Sequence, residues 1–88
     1  MNETIDAVRQ LVATTLGIED RAHLLTADTV LLDGIPELDS MALVELVVAL
    51  EDRFRISIED EDITGETFHT LGSLATMVAR RSGSLTVP

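Results

Sequence analysis

Residues 38–54 read LDSMALVELVVALEDRF, and this stretch decides how the rest of the chain folds. Its apolar side chains recur at intervals of three and four residues, which places them on one face of an α-helix. They are Leu43, Leu46, Val47, Leu50 and Phe54. Asp39 is a favoured N-terminal cap, so that Ser40 becomes the first helical residue. The stretch therefore predicts a helix over residues 40–54 with one face in the core.

A second apolar stripe lies on the same predicted helix. At about 100° per residue, Met41, Val44 and Val48 point roughly 100–160° away from the core face. Acidic side chains flank these three residues on both edges; they are Glu45, Glu51 and Asp52. An apolar strip with a charged rim is typical of a protein–protein contact, and we call Met41, Val44 and Val48 the outer stripe. The alternative is that the segment before the helix folds over the outer stripe and buries it.

The first half of the chain predicts one helix followed by a long connection. A helix is predicted over about 3–16, because its apolar residues keep helical spacing. They are Ile5, Val8, Val12 and Leu16. Residues 17–39 are rich in leucine, valine and isoleucine, so we expect this connection to pack over the core rather than extend as a linker. A single helical turn is expected within it, near 27–33.

The second half predicts shorter elements. Ile56 and Ile58 alternate with polar residues, but two apolar residues favour an extended connector over a strand. An acidic helical turn is expected near 60–66. Thr70 is predicted to cap a last helix, whose apolar positions are Leu71, Leu74, Ala75 and Val78. Four apolar side chains suit either a plain core or the lining of an acyl pocket; they are Ile56, Ile58, Phe68 and Leu71.

Together these elements predict an all-α fold. It is a small four-helix bundle with three main helices, one short helix and a long loop between the first and second helices. The expected domain covers residues 1–81, and residues 82–88 lack periodicity, which predicts a flexible tail. A chain of 88 residues builds one modest core and has little room for a deep active-site cavity.

Acidic charge is concentrated in the middle of the chain. The net charge is −10, and residues 28–66 hold twelve acidic and two basic side chains, so this segment accounts for all of it. Such a field repels nucleic acid and anionic membranes and attracts basic protein patches, although an acidic surface also serves solubility. No apolar run approaches a membrane span, and the first residues lack a signal-peptide pattern, so we expect a cytoplasmic monomer.

Polar residues predict neither a metal site nor a catalytic residue. The chain has no cysteine, and its two histidines, His23 and His69, lack the spacing of a metal site. The acidic run from Asp60 fits several positions of a calcium loop, but Leu71 stands where the loop needs a glutamate. Only weak binding of divalent ions is expected there. Ser40 lacks the glycine neighbours of a hydrolase nucleophile.

The order of these features strongly resembles the acyl carrier protein family. The resemblance rests on residues 38–41, 44–54 and 56–58, which read LDSM, VELVVALEDRF and ISI. It extends through the acidic run and the last helix, so that it covers most of residues 3–80. In that family, Asp-Ser-Leu or Asp-Ser-Met opens the second helix.

The resemblance implies a cofactor and a set of partners. Ser40 would carry 4′-phosphopantetheine, transferred from coenzyme A by a phosphopantetheinyl transferase, with Asp39 as motif residue and helix cap. The protein would then be a carrier of acyl thioesters and not an enzyme, serving lipid, polyketide or specialised acyl biosynthesis. Its partners would be acyl-loading and acyl-using enzymes with basic docking patches. The positions that match the family's docking residues are Met41, Val44, Glu45, Val48 and Glu51.

Departures from the family pattern favour a specialised carrier over the general fatty-acid one. They are Pro36, Glu37, Ala42, Arg53 and Arg55. Residues 36–42, together with residues 65–68, are similar to carriers associated with bacterial exosortase and exopolysaccharide clusters. Two alternatives stay open: a D-alanyl or other aminoacyl carrier, and a helical adaptor that binds a partner through the outer stripe and carries nothing.

Overall fold

Three α-helices and two short 3₁₀ helices make up the described part of the chain. The computed structural model describes residues 2–82; for Asn2 it describes the backbone but not the side chain. The α-helices are α1 (Asn2–Leu16), α2 (Ser40–Phe54) and α3 (Leu71–Ser82). The 3₁₀ helices are Glu19–Leu24 and Asp60–Asp62. The all-α prediction is confirmed, and residues 83–88 of the predicted tail lie outside the described residues.

The helices form because each has a continuous apolar face to bury. In α1 the buried residues are Val8, Val12 and Ala13, and in α2 they are Leu46 and Leu50, with Leu43, Val47 and Phe54 packed beside them. In α3 the buried residues are Leu71, Leu74, Ala75, Met77, Val78 and Ala79. Full burial of one such leucine or valine side chain contributes about 1.5–3 kcal/mol of transfer free energy. The predicted spacing of all three helices is thereby confirmed.

The long connection packs down as predicted, but its helical turn lies elsewhere. The 3₁₀ helix of the connection is Glu19–Leu24, which was not predicted. The turn expected near 27–33 lies slightly later, where the Gly34 and Ile35 N–H groups donate to the Leu31 carbonyl (3.2 and 3.0 Å). Just before this turn, the backbone of the connection pairs with the start of α3. The Leu31 N–H donates to the His69 carbonyl (2.7 Å), and the Leu71 N–H donates to the Thr29 carbonyl (3.0 Å).

This pairing includes an isolated antiparallel bridge between Val30 and Thr70. The Gly72 N–H extends the attachment by donating to the Ala27 carbonyl (2.9 Å). At its other end the connection is fixed to α1, because the Arg9 Nε donates to the Leu25 carbonyl (2.8 Å). The connection is therefore held by α1 and by the start of α3.

The segment between α2 and α3 is an extended connector, as predicted. Ile56 and Ile58 are buried, and no strand forms in the described residues apart from the isolated bridge. The Asp60–Asp62 helix is shorter than the turn expected near 60–66. Asp62 is buried, accepts from the Glu59 N–H (3.1 Å) and pairs with Arg81 (2.6 Å), which fixes the acidic segment to α3. The apolar residues weighed as an acyl pocket, Ile56, Ile58, Phe68 and Leu71, belong to the core.

Gly34 lets the connection turn towards α2. A Cβ at this position would overlap the Val30 carbonyl oxygen and lie 2.8 Å from the Val30 Cβ, both of which are held in place by the bridge to Thr70. We expect Gly34→Ala to lower the free energy of unfolding by about 1–3 kcal/mol, the usual cost of overpacking. Urea denaturation followed by circular dichroism measures this.

Gly65→Ala is the matched control for Gly34→Ala. A Cβ at Gly65 would meet only the Leu32 Cδ2 at 4.0 Å, which is ordinary contact. Its unfolding free energy should stay within about 0.5 kcal/mol of the wild type, as for most surface substitutions. Equal losses in the two variants would contradict the role assigned to Gly34.

Candidate functional site

The start of α2 is fixed by Asp39. Its backbone is extended (φ −93°, ψ −174°), and its Oδ1 accepts a hydrogen bond from the Ala42 N–H at 2.8 Å. The Leu43 N–H donates to the Asp39 carbonyl (2.8 Å), which is the first bond of the helix. The prediction that Asp39 caps α2 is confirmed. Such a cap is worth about 1 kcal/mol relative to alanine.

Ser40 is the first residue of α2, and its side chain is exposed. Within residues 2–82 its hydroxyl forms no hydrogen bond, and the N–H groups of Ser40 and Met41 have no protein partner. These N–H groups lie at the positive end of the helix dipole, where a negative phosphate is favoured. The geometry therefore suits a phosphodiester on the Ser40 oxygen.

Other described serines are placed differently. The Ser73 hydroxyl donates to the Thr67 carbonyl (2.8 Å) and accepts from the Thr70 N–H (3.0 Å), while Thr70 caps α3 as predicted. The Ser82 hydroxyl donates to the Ala79 carbonyl (3.1 Å). Ser57 is exposed but lies in the extended connector, away from any helix start. In the described range, Ser40 alone combines an exposed hydroxyl with the first residue of an α-helix.

An ion pair holds the chain just before the site. Arg21, in the first 3₁₀ helix, donates from Nη2 to the Glu37 Oε2 at 2.5 Å. This guanidinium holds the pKa of the Glu37 carboxyl below its usual range, so Glu37 is charged at neutral pH. On either side of Glu37, the buried Ile35 and Leu38 anchor the turn in the core. Sequence reasoning missed Arg21, because sixteen residues separate it from Glu37 and no local pattern joins them.

The outer stripe is exposed. Met41, Val44 and Val48 have 73%, 63% and 58% of their surfaces accessible. The alternative that the connection buries this stripe is wrong, because the connection is bonded to α1 and to the start of α3. The outer stripe is thus an apolar surface on the same helix as Ser40.

The acidic residues that flank the outer stripe differ in their exposure and hydrogen bonding. Glu45 and Asp52 are exposed. Glu51 is half-buried, and its Oε2 accepts from the Ile58 N–H (2.8 Å). Glu51 therefore also holds the extended connector, a structural role that the sequence pattern did not predict.

Between residues 2 and 82, no three His, Cys, Asp or Glu side chains are grouped so that they could hold a metal ion. His23 and His69 are both exposed. None of the helices described for residues 2–82 has the length and apolarity needed to cross a membrane.

The fold and this site define a small helical bundle that presents one serine beside an apolar, acid-flanked surface. Residues 6–78 match the family described as phosphopantetheine attachment site. The chain is 30% identical over 78 residues to an acyl carrier protein of Rhodococcus erythropolis. This match covers 89% of this chain and 80% of that protein. It is 28% identical over 78 residues to the meromycolate extension acyl carrier protein of Mycobacterium leprae. The match covers 64% of the latter protein's length, just under two thirds.

A solved structure agrees with these relatives. The solution NMR structure of a holo acyl carrier protein from Nitrosomonas europaea is 46% identical, with a TM-score of 0.83. The similarity covers 94% of this chain and 96% of that one. The chain therefore belongs to the acyl carrier protein family, whose members bear phosphopantetheine and are carriers rather than enzymes. The resemblance noted in the sequence is confirmed, as is the cofactor.

A charge introduced on the outer face of α2 should affect stability much less than a charge introduced on its inner face. We expect Val48→Asp to lower the free energy of unfolding by only about 1 kcal/mol, because Val48 is exposed and the cost is repulsion from the neighbouring acidic residues. Leu46→Asp, two residues earlier and fully buried, should lose at least about 3 kcal/mol or fail to fold, because it puts an unpaired charge in the core. Thermal unfolding of both variants measures the difference. A loss of several kcal/mol in Val48→Asp would show that the outer stripe is buried.

Proposed function

We propose that Ser40 is the attachment point of 4′-phosphopantetheine, held as a phosphodiester on its hydroxyl oxygen. The observation that carries this proposal is an exposed, unbonded hydroxyl on the first residue of an α-helix whose start is fixed by Asp39. The unpartnered N–H groups of Ser40 and Met41 lie where they can stabilise the phosphate charge. When attached, the group supplies a terminal thiol that holds acyl groups as thioesters.

The residues around Ser40 present the arm to other proteins. The turn before Ser40 is anchored by buried Ile35 and Leu38, and the helix after it is anchored by Leu46 and Leu50. Ser40 therefore sits on a rigid support while its side chain stays in solvent. Because a tethered acyl group cannot diffuse away, it meets each partner enzyme at a high effective concentration.

Docking through the outer stripe is the second part of the proposal. Acidic side chains such as Glu45, together with the net charge of −10, steer basic enzyme patches towards α2. Met41, Val44 and Val48 then provide the apolar contact, with Glu51 at its edge. The partners we propose are a phosphopantetheinyl transferase and enzymes that load or use acyl groups. Such contacts are weak and sensitive to salt, which allows the carrier to leave after each transfer.

The pathway is proposed from the relatives and from the residues around Ser40. One relative is named for meromycolate extension, which supports a role in lipid or other acyl-chain biosynthesis. Pro36, Glu37 and Ala42, which depart from the common family pattern, favour a specialised carrier within that class.

Attachment to Ser40 is tested by intact mass. The apo protein is incubated with coenzyme A, magnesium and a broad-range phosphopantetheinyl transferase. We expect the wild type and Ser57→Ala to gain the mass of one phosphopantetheine group, and Ser40→Ala to gain nothing. Ser57→Ala is the matched control, because it removes another exposed hydroxyl away from any helix start. Full modification of Ser40→Ala would overturn the assignment, and a wild type that gains no mass would favour the adaptor alternative.

Docking is tested by the kinetics of the same reaction. Val44→Asp removes an exposed apolar contact and leaves Ser40 untouched, so we expect KM for the carrier to rise at least several-fold while kcat changes little. Leu24→Asp is the matched control, since Leu24 is exposed to the same extent as Val44 (62% and 63%) but lies outside α2. An unchanged KM in Val44→Asp, or an equal rise in both variants, would contradict docking through the outer stripe.

A further inference from the structure

Arg55 ends α2 in a backbone conformation that residues other than glycine rarely adopt. Its φ is 57° and its ψ is 48°, which is the left-handed region. Helices often end in this way, but the residue there is usually glycine, because a Cβ makes the conformation unfavourable. Strain of this kind persists where the residue is needed for another purpose, and it is concentrated at functional sites. An arginine at this position therefore needs an explanation beyond ending the helix.

Contacts within the folded chain do not supply that explanation. Arg55 is exposed, and within residues 2–82 its guanidinium forms no ion pair. Glu51, four residues earlier, has the spacing of a helix ion pair, but its carboxylate accepts from the Ile58 N–H (2.8 Å) instead. A positive charge also suits the C-terminal end of a helix, but Arg53 already places one in the last turn. The charge of Arg55 is thus available to another molecule.

Arg55 continues the line of the outer stripe. It follows Val48 by seven residues and Val44 by eleven, a spacing that returns to the same face of an α-helix. Its Cα lies about 10 Å beyond that of Val48 along the α2 axis, so that one docked protein can reach both. The outer stripe therefore ends at an unpaired positive charge.

Arg53 is also exposed, but it lies on another face of α2. At about 100° per residue it points roughly 120–180° away from the outer stripe. It lines a cavity whose other lining residues all belong to α1, and its guanidinium lies 5.0 Å from the centre of the Phe54 ring. Of the two arginines at the end of α2, Arg55 is the one that a protein docked on the outer stripe would meet.

We propose that Arg55 selects the enzymes that load or use the acyl group, by pairing with an acidic side chain on the docking face of the enzyme. The inference rests on the docking proposed above. Glu45, near the start of the outer face, attracts a basic group, and Arg55, about 15 Å further along the axis, attracts an acidic one. The enzyme that fits has a basic and an acidic group in that order, with an apolar contact for Val48 between them. An enzyme whose docking face is basic throughout is repelled at Arg55.

The test is the loading of the carrier in its native host. Affinity-tagged variants are purified, and intact mass separates the apo protein, the protein with phosphopantetheine and the acylated protein. We expect Arg55→Glu to lower the acylated share of the modified protein at least about threefold, because an attraction becomes a repulsion. Arg55→Lys keeps the charge and should stay close to the wild type. Arg53→Glu is the matched control, with the same change of charge on another face of α2, and should also stay close.

Arg55→Gly separates docking from folding. Glycine relieves the left-handed backbone, so we expect the midpoint of thermal unfolding to rise by a few degrees. The acylated share should nevertheless fall, because the charge that meets the enzyme is lost. A residue with a merely structural role would not give a more stable protein that is loaded less well. Unchanged or lower thermal stability in Arg55→Gly would contradict the argument from strain.

Salt tests whether the contact is electrostatic. Holo wild type and holo Arg55→Glu are supplied to an extract of the native host, and the KM for acylation is measured at about 0.05 M and about 1 M salt. We expect a higher KM for Arg55→Glu at low salt and similar values at high salt, because exposed charges are screened. A difference that persists at high salt would show that Arg55 does not act through its charge.

Other results would also overturn the proposal. Equal loading of the wild type and Arg55→Glu, or equal losses in Arg55→Glu and Arg53→Glu, would remove the role of Arg55. Better loading of Arg55→Glu would show that the docking face of the enzyme is basic throughout. A wild-type dimer that dissociates in Arg55→Glu would show that a second copy meets Arg55 instead.

Failure of this proposal is distinguishable from failure of the proposed function. A wild type that carries phosphopantetheine on Ser40 but is never acylated contradicts the enzyme partner and leaves the attachment intact. A wild type without phosphopantetheine counts against the function of Ser40 itself.

Discussion

Backbone hydrogen bonds between residues 27–31 and 69–72 are the constraint on which the rest of the structure depends. They pair the middle of the long connection with the start of α3, through the bridge of Val30 to Thr70 and the bonds on either side of it. Had the connection not been held there, its many apolar side chains would have had the outer stripe as an alternative surface to cover. Because it is held there, the outer face of α2 stays open and the chain approaches Asp39 from a fixed direction.

The second helix consequently serves two purposes at once. Its inner face, centred on Leu46 and Leu50, contributes to the core, and its outer face stays apolar and exposed. Glu51 lies where the two purposes meet, since it flanks the outer stripe and also accepts from the Ile58 N–H. Under the docking proposed above, this division lets a partner bind and leave a surface that does not rearrange.

The features that could be predicted from the sequence are those set by residues close together in the chain. Periodicity fixed the three α-helices to within a residue or so, and Asp39 and Thr70 were recognised as caps because capping depends on neighbours three residues away. The position of the helix in the long connection was missed, because a 3₁₀ turn at Glu19–Leu24 has no strong pattern of its own. The two ion pairs that hold the connecting segments, Arg21 with Glu37 and Arg81 with Asp62, join residues far apart in sequence. Only the folded chain brings such pairs together.

The central claim is that Ser40, among five serines in the chain, bears the prosthetic group. The most direct measurement is tandem mass spectrometry of peptides from the protein modified in its native host. The account predicts that phosphopantetheine is found on the peptide that contains Ser40, and that the fragment ions locate it on that residue. Phosphopantetheine located on Ser57 or Ser73, or an unmodified Ser40 peptide alongside a modified one from elsewhere in the chain, would contradict it.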